Sequence, residues 1–122
     1  MSHLHALIVD DERNIRQTLR VCLEALGADV VEASSAPAAI EAMRQGVFGL
    51  VITDLRLGAQ SGLDLIPDLL AQSPNVAIVM ITAYATRETA AEAVRRGACD
   101  CLAKPFTPAQ IRQVVARTRQ TS

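Results

Sequence analysis

The stretch LHALIVDDERNI, Leu4 to Ile15, decides the fold, because an apolar run of strand length stops abruptly at two adjacent acids. Four further apolar runs occur at 28–31, 50–53, 76–81 and 98–103, with stretches of helical length between them. A chain in which strands alternate with helices forms a parallel sheet. The sequence therefore predicts an α/β protein of five β-α units, a doubly wound sandwich.

The composition indicates one globular domain, residues 1–122, large enough to bury a core without disulfides or a structural metal. Twelve basic residues against thirteen acidic ones, with one tyrosine and two phenylalanines, exclude a nucleic-acid-binding surface. No apolar run reaches the roughly 20 residues of a membrane-spanning helix, and the N-terminus lacks a signal-peptide pattern. We expect a cytoplasmic chain that contacts neither nucleic acid nor membrane and keeps its cysteines reduced.

Helical spacing of apolar residues places helices between the strands. The first should end at Gly27, a residue suited to a helix C-terminus, and carry on one face Ile15, Leu19, Cys22, Leu23 and Leu26. The second should cover about 37–46. The third should lie within 61–72, where four apolar residues supply the buried face.

The last two helices differ in how clearly the sequence marks them. The fourth, about 86–96, is rich in alanine and has Val94 as its only large apolar residue, so its contact with the sheet should be the weakest. The fifth begins with a strong signal, because Thr107 can cap it, Pro108 fits the first helical position and Gln110 can complete a capping box.

Polar side chains stand at the ends of the predicted strands. Asp10 and Asp11 end the first strand, Asp54 the third and Thr82 the fourth, and Lys104 follows the fifth. Doubly wound sheets bind ligands beyond the carboxyl ends of their strands, where the strand order reverses. One polar residue at a strand end is ordinary, whereas five at neighbouring strand ends indicate a site.

Three carboxylates brought together repel one another, and a divalent cation with oxygen ligands is the usual relief. Mg²⁺ suits such a half-open site because it keeps several waters and binds a phosphate oxygen. A carboxylate beside Mg²⁺ can attack phosphorus and form an aspartyl phosphate. The ammonium of Lys104 and the hydroxyl of Thr82 can then hold the charged oxygens. No histidine near Asp54 offers a general base for rapid hydrolysis of the product.

These motifs together resemble the receiver domain of bacterial two-component response regulators. The resemblance covers essentially the whole chain, through VDDE (9–12), ITDLRLGAQSGLDLI (52–66), MITAYA (80–85) and GACDCLAKPF (97–106). It implies a flavodoxin-like (βα)5 three-layer sandwich with a five-stranded parallel sheet in the order 2-1-3-4-5. It also implies that the protein is a signalling switch and not an enzyme. Such a switch assists only its own phosphotransfer and its own slow autodephosphorylation.

The resemblance implies a role for each site residue. Asp54 would be the phosphoacceptor, Thr82 the switch hydroxyl and Lys104 the group that binds the phosphoryl oxygens. Lys104-Pro105 resembles the cis-peptide pair of the family, which would aim the lysine into the site.

The metal ligands are likewise implied by the resemblance. Asp11, Asp54 and the backbone carbonyl of Arg56 would bind Mg²⁺ directly, and Asp10 would hold it through water.

The chain departs from the family pattern at positions that matter for switching. Cys101 occupies the position of the aromatic switch residue, so we expect Tyr84 and the fourth helix to move on activation instead. Hydrolysis in the family depends on the positions of Arg56 and Tyr84, and two bulky residues there predict a phosphoaspartate that lasts minutes or more. Gly58 and Ala59 replace the common Pro-Gly, which predicts a less rigid loop.

The segments DLRLGAQSG and TAYAT are most similar to the nitrogen-regulatory (NtrC) class. Receivers of that class commonly precede two further domains: an ATPase domain that activates sigma-54 transcription, and a DNA-binding domain. The resemblance therefore implies a sensor histidine kinase as phosphoryl donor and effector domains C-terminal to this segment. It also implies transcriptional regulation as output and a possible homodimer through the fourth helix, fifth strand and fifth helix.

Two other classes share parts of this pattern. A phosphatase of the haloacid-dehalogenase type also uses an aspartyl nucleophile on a parallel sheet, but it needs a second acid where this chain has Arg56. A flavodoxin-like cofactor binder needs a Ser, Thr or Gly phosphate cradle in the first β-α turn, where this chain has DDERN.

Overall fold

The structure is a computed structural model that describes residues 4–120, with side chains described up to residue 118. Its main sheet contains five parallel strands: β1 (His5–Val9), β2 (Asp29–Ala33), β3 (Leu50–Asp54), β6 (Ala77–Thr82) and β7 (Asp100–Ala103). Their order is β2-β1-β3-β6-β7. This is the predicted 2-1-3-4-5 order, because two short strands between β3 and β6, β4 (Arg56–Leu57) and β5 (Gln60–Ser61), belong to a separate hairpin. The flavodoxin-like prediction is confirmed.

Within residues 4–120, five helices cover the two faces of the sheet: α1 (Arg13–Glu24), α2 (Ala36–Gln45), α3 (Gly62–Gln72), α4 (Arg87–Arg96) and α5 (Pro108–Gln120). Alternate residues of the central strands point to opposite faces, so β1, β3 and β6 are almost entirely buried. Leu19, Leu23 and Val114 of α1 and α5 join the core on one face. Met43, Ile66 and Ala93 of α2, α3 and α4 join the core on the other.

Capping residues begin the helices near the positions that the sequence indicates. Thr107 and Gln110 form the predicted capping box of α5: the Thr107 amide donates to Gln110 Oε1 at 2.7 Å, and the Gln110 amide to Thr107 Oγ1 at 3.2 Å. Thr86 and Thr89 form a second capping box at α4. Gly27 follows α1 in the left-handed region, with φ +87°.

A short antiparallel hairpin follows β3 and was not predicted. Its strands, β4 (Arg56–Leu57) and β5 (Gln60–Ser61), have two residues each, too short for an alternating pattern to be read. Gly58 turns between them with φ +63°. The loop that lacks Pro-Gly is therefore organised by backbone pairing.

The fourth helix contacts the core through a small residue. Ala93 is 1% exposed, whereas Val94, its only large apolar residue, is 56% exposed. Val94 therefore does not anchor α4 to the sheet.

Within residues 4–120, no helix combines the length and hydropathy needed to cross a bilayer. The thiols of Cys22, Cys99 and Cys101 are all free.

Candidate functional site

An ion-pair cluster lies at the carboxyl edge of the sheet, where β1 and β3 lie side by side. Asp10 directly follows β1 and is 0% exposed, and Asp54 ends β3 at 6%. Lys104, which follows β7, crosses the edge and donates from Nζ to Asp54 Oδ2 at 3.0 Å and to Asp10 Oδ2 at 3.1 Å. Three distant segments of the chain thus meet around one ammonium group.

Asp11 and Glu12 extend this cluster toward solvent. Asp11 Oδ2 accepts a hydrogen bond from the Gly58 amide at 3.2 Å, which ties the turn after β1 to the β4–β5 hairpin. Glu12 Oε1 lies 3.5 Å from Lys104 Nζ. One carboxylate oxygen from each of Asp10, Asp11, Glu12 and Asp54 lies within 4.8 Å of the others. Sequence reasoning missed Glu12, although a third consecutive acid in VDDE was an available signal.

Burial and ion pairing set the charge of this cluster. Burial raises the pKa of Asp10, against the opposing hydrogen bonds from the Glu12 amide and Lys104. Burial alone would lower the pKa of Lys104, but hydrogen bonds to Asp54 and Asp10 outweigh it and raise that pKa. Lys104 therefore stays an ammonium at neutral pH.

The donor set fits a divalent cation. Among the residues that the structure describes, four carboxylates face a single ammonium, so negative charge is in excess at distances where like charges repel strongly. All the side-chain donors are hard oxygen ligands, which suit Mg²⁺ or Ca²⁺ rather than a soft metal. Asp10, Asp11 and Asp54, the predicted carboxylate ligands, are among the four residues brought together.

Thr82 stands at the end of β6, beside the cluster. It is 1% exposed, and its Oγ1 accepts a hydrogen bond from the Tyr84 amide at 3.0 Å. Thr82 and Lys104 are also joined through the main chain, since the Lys104 amide donates to the Thr82 carbonyl at 2.8 Å. The hydroxyl and the ammonium are thus held at one edge of a cleft of about 390 Å³ that also contains Asp54.

Arg56 and Tyr84 form the outer wall of that cleft. The Arg56 guanidinium lies over the Tyr84 ring, 4.5 Å from its centroid, a cation–π contact between the hairpin and the loop after β6. Tyr84 is 57% exposed. The Arg56 amide also donates to Asp54 Oδ1 at 3.3 Å, so Arg56 contacts the acid through its backbone as well.

The remaining predicted positions flank the site. The Lys104–Pro105 peptide bond is cis. Cys101, in β7, pairs with Met80 of β6 and is half-buried, and it is not among the residues lining the cleft. Burial, with a smaller contribution from Asp100, raises the pKa of the Cys101 thiol. The structure thus brings seven of the predicted residues together in the ion-pair cluster or the adjoining cleft, namely Asp10, Asp11, Asp54, Arg56, Thr82, Tyr84 and Lys104, whereas Cys101 lies outside both.

A parallel sheet with this acidic edge, a facing lysine and a buried threonine defines a phosphoacceptor domain. Residues 6–116 match the family described as the response regulator receiver domain. The chain belongs to this family and is a receiver domain of two-component signal transduction.

A curated relative extends the comparison. The alginate biosynthesis transcriptional regulatory protein AlgB of Pseudomonas aeruginosa is 43% identical over 111 residues, which are 91% of this chain and 25% of that protein. The chain therefore spans about a quarter of the length of such relatives.

Two solved structures are similar across nearly the whole chain. A response regulator from Burkholderia pseudomallei, described with a phosphorylated aspartic acid, calcium ion and citrate, has a TM-score of 0.83 and 32% identity, covering 93% of this chain and 72% of that one. The beryllofluoride-activated NtrC4 receiver domain dimer has a TM-score of 0.88 and 25% identity, covering 93% and 94%. Together with AlgB, NtrC4 confirms the predicted resemblance to the NtrC class.

Proposed function

We propose that Asp54 accepts a phosphoryl group from the phosphohistidine of a sensor histidine kinase. The observation that carries this is the 3.0 Å hydrogen bond from Lys104 Nζ to Asp54 Oδ2 at an edge crowded with carboxylates. An Asp54 carboxylate oxygen attacks phosphorus, the new P–O bond forms, and the P–N bond to the imidazole breaks. The freed imidazole nitrogen keeps the electron pair of that bond.

Mg²⁺ is the proposed cofactor, held directly by Asp11, Asp54 and the carbonyl of Arg56, and through water by Asp10. Bound there, it would supply positive charge against the carboxylates and the incoming phosphoryl oxygens. The excess negative charge of the cluster supports this assignment, and Mg²⁺ rather than Ca²⁺ is favoured because it retains waters and readily binds phosphate oxygens.

Lys104 and Thr82 are the proposed binders of the phosphoryl oxygens. Lys104 already holds Asp54 and Asp10, so it remains charged and close to the position where negative charge develops. The Thr82 hydroxyl can donate its proton to a phosphoryl oxygen while it still accepts from the Tyr84 amide.

Phosphorylation of Asp54 is tested by incubating the protein with acetyl phosphate in the presence of Mg²⁺. Wild-type protein should gain one phosphoryl group by mass spectrometry, and Asp54→Ala should gain none because the nucleophile is gone. Asp68→Ala is the matched control, since Asp68 is an exposed acid of α3. Equal labelling of Asp54→Ala and wild type would refute the assignment.

We further propose slow autodephosphorylation, with a phosphoaspartate lifetime of minutes or more. The stacked Arg56 and Tyr84 side chains line the cleft and stand in the way of an attacking water. Arg56→Ser and Tyr84→Ser should therefore shorten the lifetime several-fold, as followed by loss of label from purified protein. Arg87→Ser, on the exposed start of α4, is the control. Loss of the wild-type label within seconds would contradict the proposal.

Phosphorylation is proposed to change the surface formed by α4, β7 and α5. Thr82 is the switch hydroxyl, and Tyr84 with the loop leading into α4 is the moving element, because the Cys101 side chain is too small to replace an aromatic ring. This surface would form a homodimer, a proposal supported by the similarity to a receiver described as an activated dimer.

The output is proposed to be transcriptional regulation in the cytoplasm, through effector domains C-terminal to this receiver. The similarity to AlgB, which is named a transcriptional regulatory protein, supports transcriptional regulation as the output. ATPase and DNA-binding domains are the effectors that the NtrC-class resemblance favours.

A further inference from the structure

Arg16 connects the acidic site to the neighbouring strand. It lies on α1, its side chain is 16% exposed, and its Nη1 donates to the backbone carbonyl of Asp10 at 2.7 Å. The same guanidinium donates from Nε to Glu32 Oε1, on β2, at 3.0 Å. Arg16 therefore joins the point where β1 ends to the strand beside it.

Glu32 holds that guanidinium in place. Its second oxygen, Oε2, accepts from Arg20 Nε at 2.6 Å, so one carboxylate is shared by two arginines one turn apart on α1. The hydrogen bonds from Arg20 and then Arg16 lower the pKa of Glu32, which stays ionised. Arg16 is thus fixed on one side by a charged partner while its Nη1 is directed at Asp10.

The Asp10 carbonyl lies in the turn 10–12, which carries three acids of the site. The Asp10 amide donates to the Ala33 carbonyl at 3.1 Å, and Asp10 Oδ1 accepts from the Glu12 amide at 2.8 Å. With the bond from Arg16, the turn 10–12 is held at amide, carbonyl and side chain. Rotation of the Asp10–Asp11 peptide plane would move the carboxylates of Asp11 and Glu12.

We propose that Arg16 is a positioning residue for the metal site, which sets Mg²⁺ affinity by holding the Asp10 carbonyl and so the turn 10–12. The inference rests on the proposed binding of Mg²⁺ by Asp10, Asp11 and Asp54. Arg16 itself touches neither metal nor phosphoryl group; it acts through the backbone.

The direction in which Mg²⁺ affinity changes when Arg16 is replaced distinguishes a positioning role from a purely electrostatic one. A guanidinium near a cation site repels the cation, so loss of its charge alone would strengthen Mg²⁺ binding. Loss of a positioning contact would weaken binding, because the carboxylates would no longer be held together. Partners that orient metal ligands typically contribute 10–100-fold to affinity, and we expect about tenfold, near the lower end, since Mg²⁺ keeps much of its water shell.

The test compares Arg16→Gln with Arg20→Gln by isothermal titration with Mg²⁺ alone. Arg20 is the matched control, because it pairs with the same Glu32 from the same helix, and its described hydrogen bonds go to Glu32 and Glu24 rather than to the turn 10–12. Arg16→Gln should weaken Mg²⁺ binding about tenfold and Arg20→Gln less than twofold, by the expectation above. Urea unfolding in EDTA should show similar stability losses for both variants. Equal weakening in both, or unchanged or tighter binding in Arg16→Gln, would overturn the proposal.

Lysine variants and a metal-free measurement complete the test. Arg16→Lys keeps the charge but cannot reach both the Asp10 carbonyl and Glu32. It should therefore also bind Mg²⁺ more weakly than Arg20→Lys does. If the glutamine variants do not fold, the two lysine variants decide between the alternatives. In EDTA, backbone ¹⁵N order parameters of residues 10–12 should fall in Arg16→Lys and not in Arg20→Lys. If wild-type protein bound no Mg²⁺, the proposed function would fail, whereas unchanged order parameters in Arg16→Lys would refute the positioning role itself.

Discussion

At the residue scale, the missing side chain of Gly62 matters directly to Asp54, the proposed phosphoacceptor. It begins α3 directly against the end of β3, and its amide donates to the Leu55 carbonyl at 2.6 Å. A Cβ at this position would collide with the carbonyl oxygen of Asp54, which is backbone and has no free rotation. The glycine therefore permits the hairpin to return closely beneath Asp54.

Gly62→Ala should lower the free energy of unfolding by about 1–3 kcal/mol, because overpacking must be relieved by a backbone shift. The same shift moves Asp54 relative to Lys104, so labelling by acetyl phosphate should slow as well. Gly27→Ala serves as control: its φ is +87° with nothing within 4 Å of a Cβ, so it should cost about 1 kcal/mol from backbone strain alone. Urea unfolding and labelling kinetics measure both. If Gly62→Ala were as stable and as rapidly labelled as the wild type, the proposed collision with the Asp54 carbonyl would be wrong.

Among the elements, α4 contributes little to the core, with Ala93 as its one buried residue in the part of the chain that the structure describes. Its well-capped start and the left-handed Gly97 define its ends, but its core contact is Ala93, a side chain of one carbon. A second contact is the exposed ion pair between Arg96 of α4 and Asp64 of α3. Exposed ion pairs contribute little to stability. The helix is thus capped at both ends, and only one small side chain joins it to the core.

Beryllofluoride should therefore change amide hydrogen exchange mainly over residues 83–96. We expect this difference to persist in Cys101→Ala, because the thiol is too small to fill and empty space as a ring does. It should shrink in Tyr84→Ala, which removes the ring at the threshold of α4. If Cys101→Ala abolished the difference and Tyr84→Ala left it intact, the cysteine would carry the switch.

At the scale of the whole molecule, stability is linked to the charge at one edge of the sheet. The acidic cluster unites segments that are otherwise far apart in sequence, and Lys104 with its contacts to Asp10 and Asp54 is their shared cation. The remaining repulsion among four carboxylates opposes folding in the absence of metal. A ligand that binds the folded state alone would offset it by mass action.

Mg²⁺ at millimolar concentration should raise the melting temperature of the wild type, and Asp11→Asn should change that response. The asparagine oxygen can still accept from the Gly58 amide, but one negative charge is lost. In EDTA we expect Asp11→Asn to be more stable than wild type by about 0.5–1 kcal/mol, on the scale of exposed charge interactions. With Mg²⁺ its melting temperature should barely rise. An unchanged wild-type melting temperature in Mg²⁺ would argue against the metal site.

The sequence by itself determined the five strands of the main sheet, the helix starts and the edge of the sheet at which the functional residues lie. These features have local causes: apolar runs mark the strands, Thr107 and Gln110 cap α5, and parallel topology brings Asp10, Asp54 and Lys104 to one edge whatever the details of packing.

Only the tertiary structure decided which atoms meet. The outward orientation of Val94 and the bond from Arg16 to the Asp10 carbonyl have no local signal, and the third acid of VDDE does not by itself show that Glu12 comes within reach of Lys104. They depend on helix rotation and on backbone partners supplied by segments distant in the chain. The Arg16 contact, for instance, exists because β2 lies beside β1 and places Glu32 where it can hold the guanidinium.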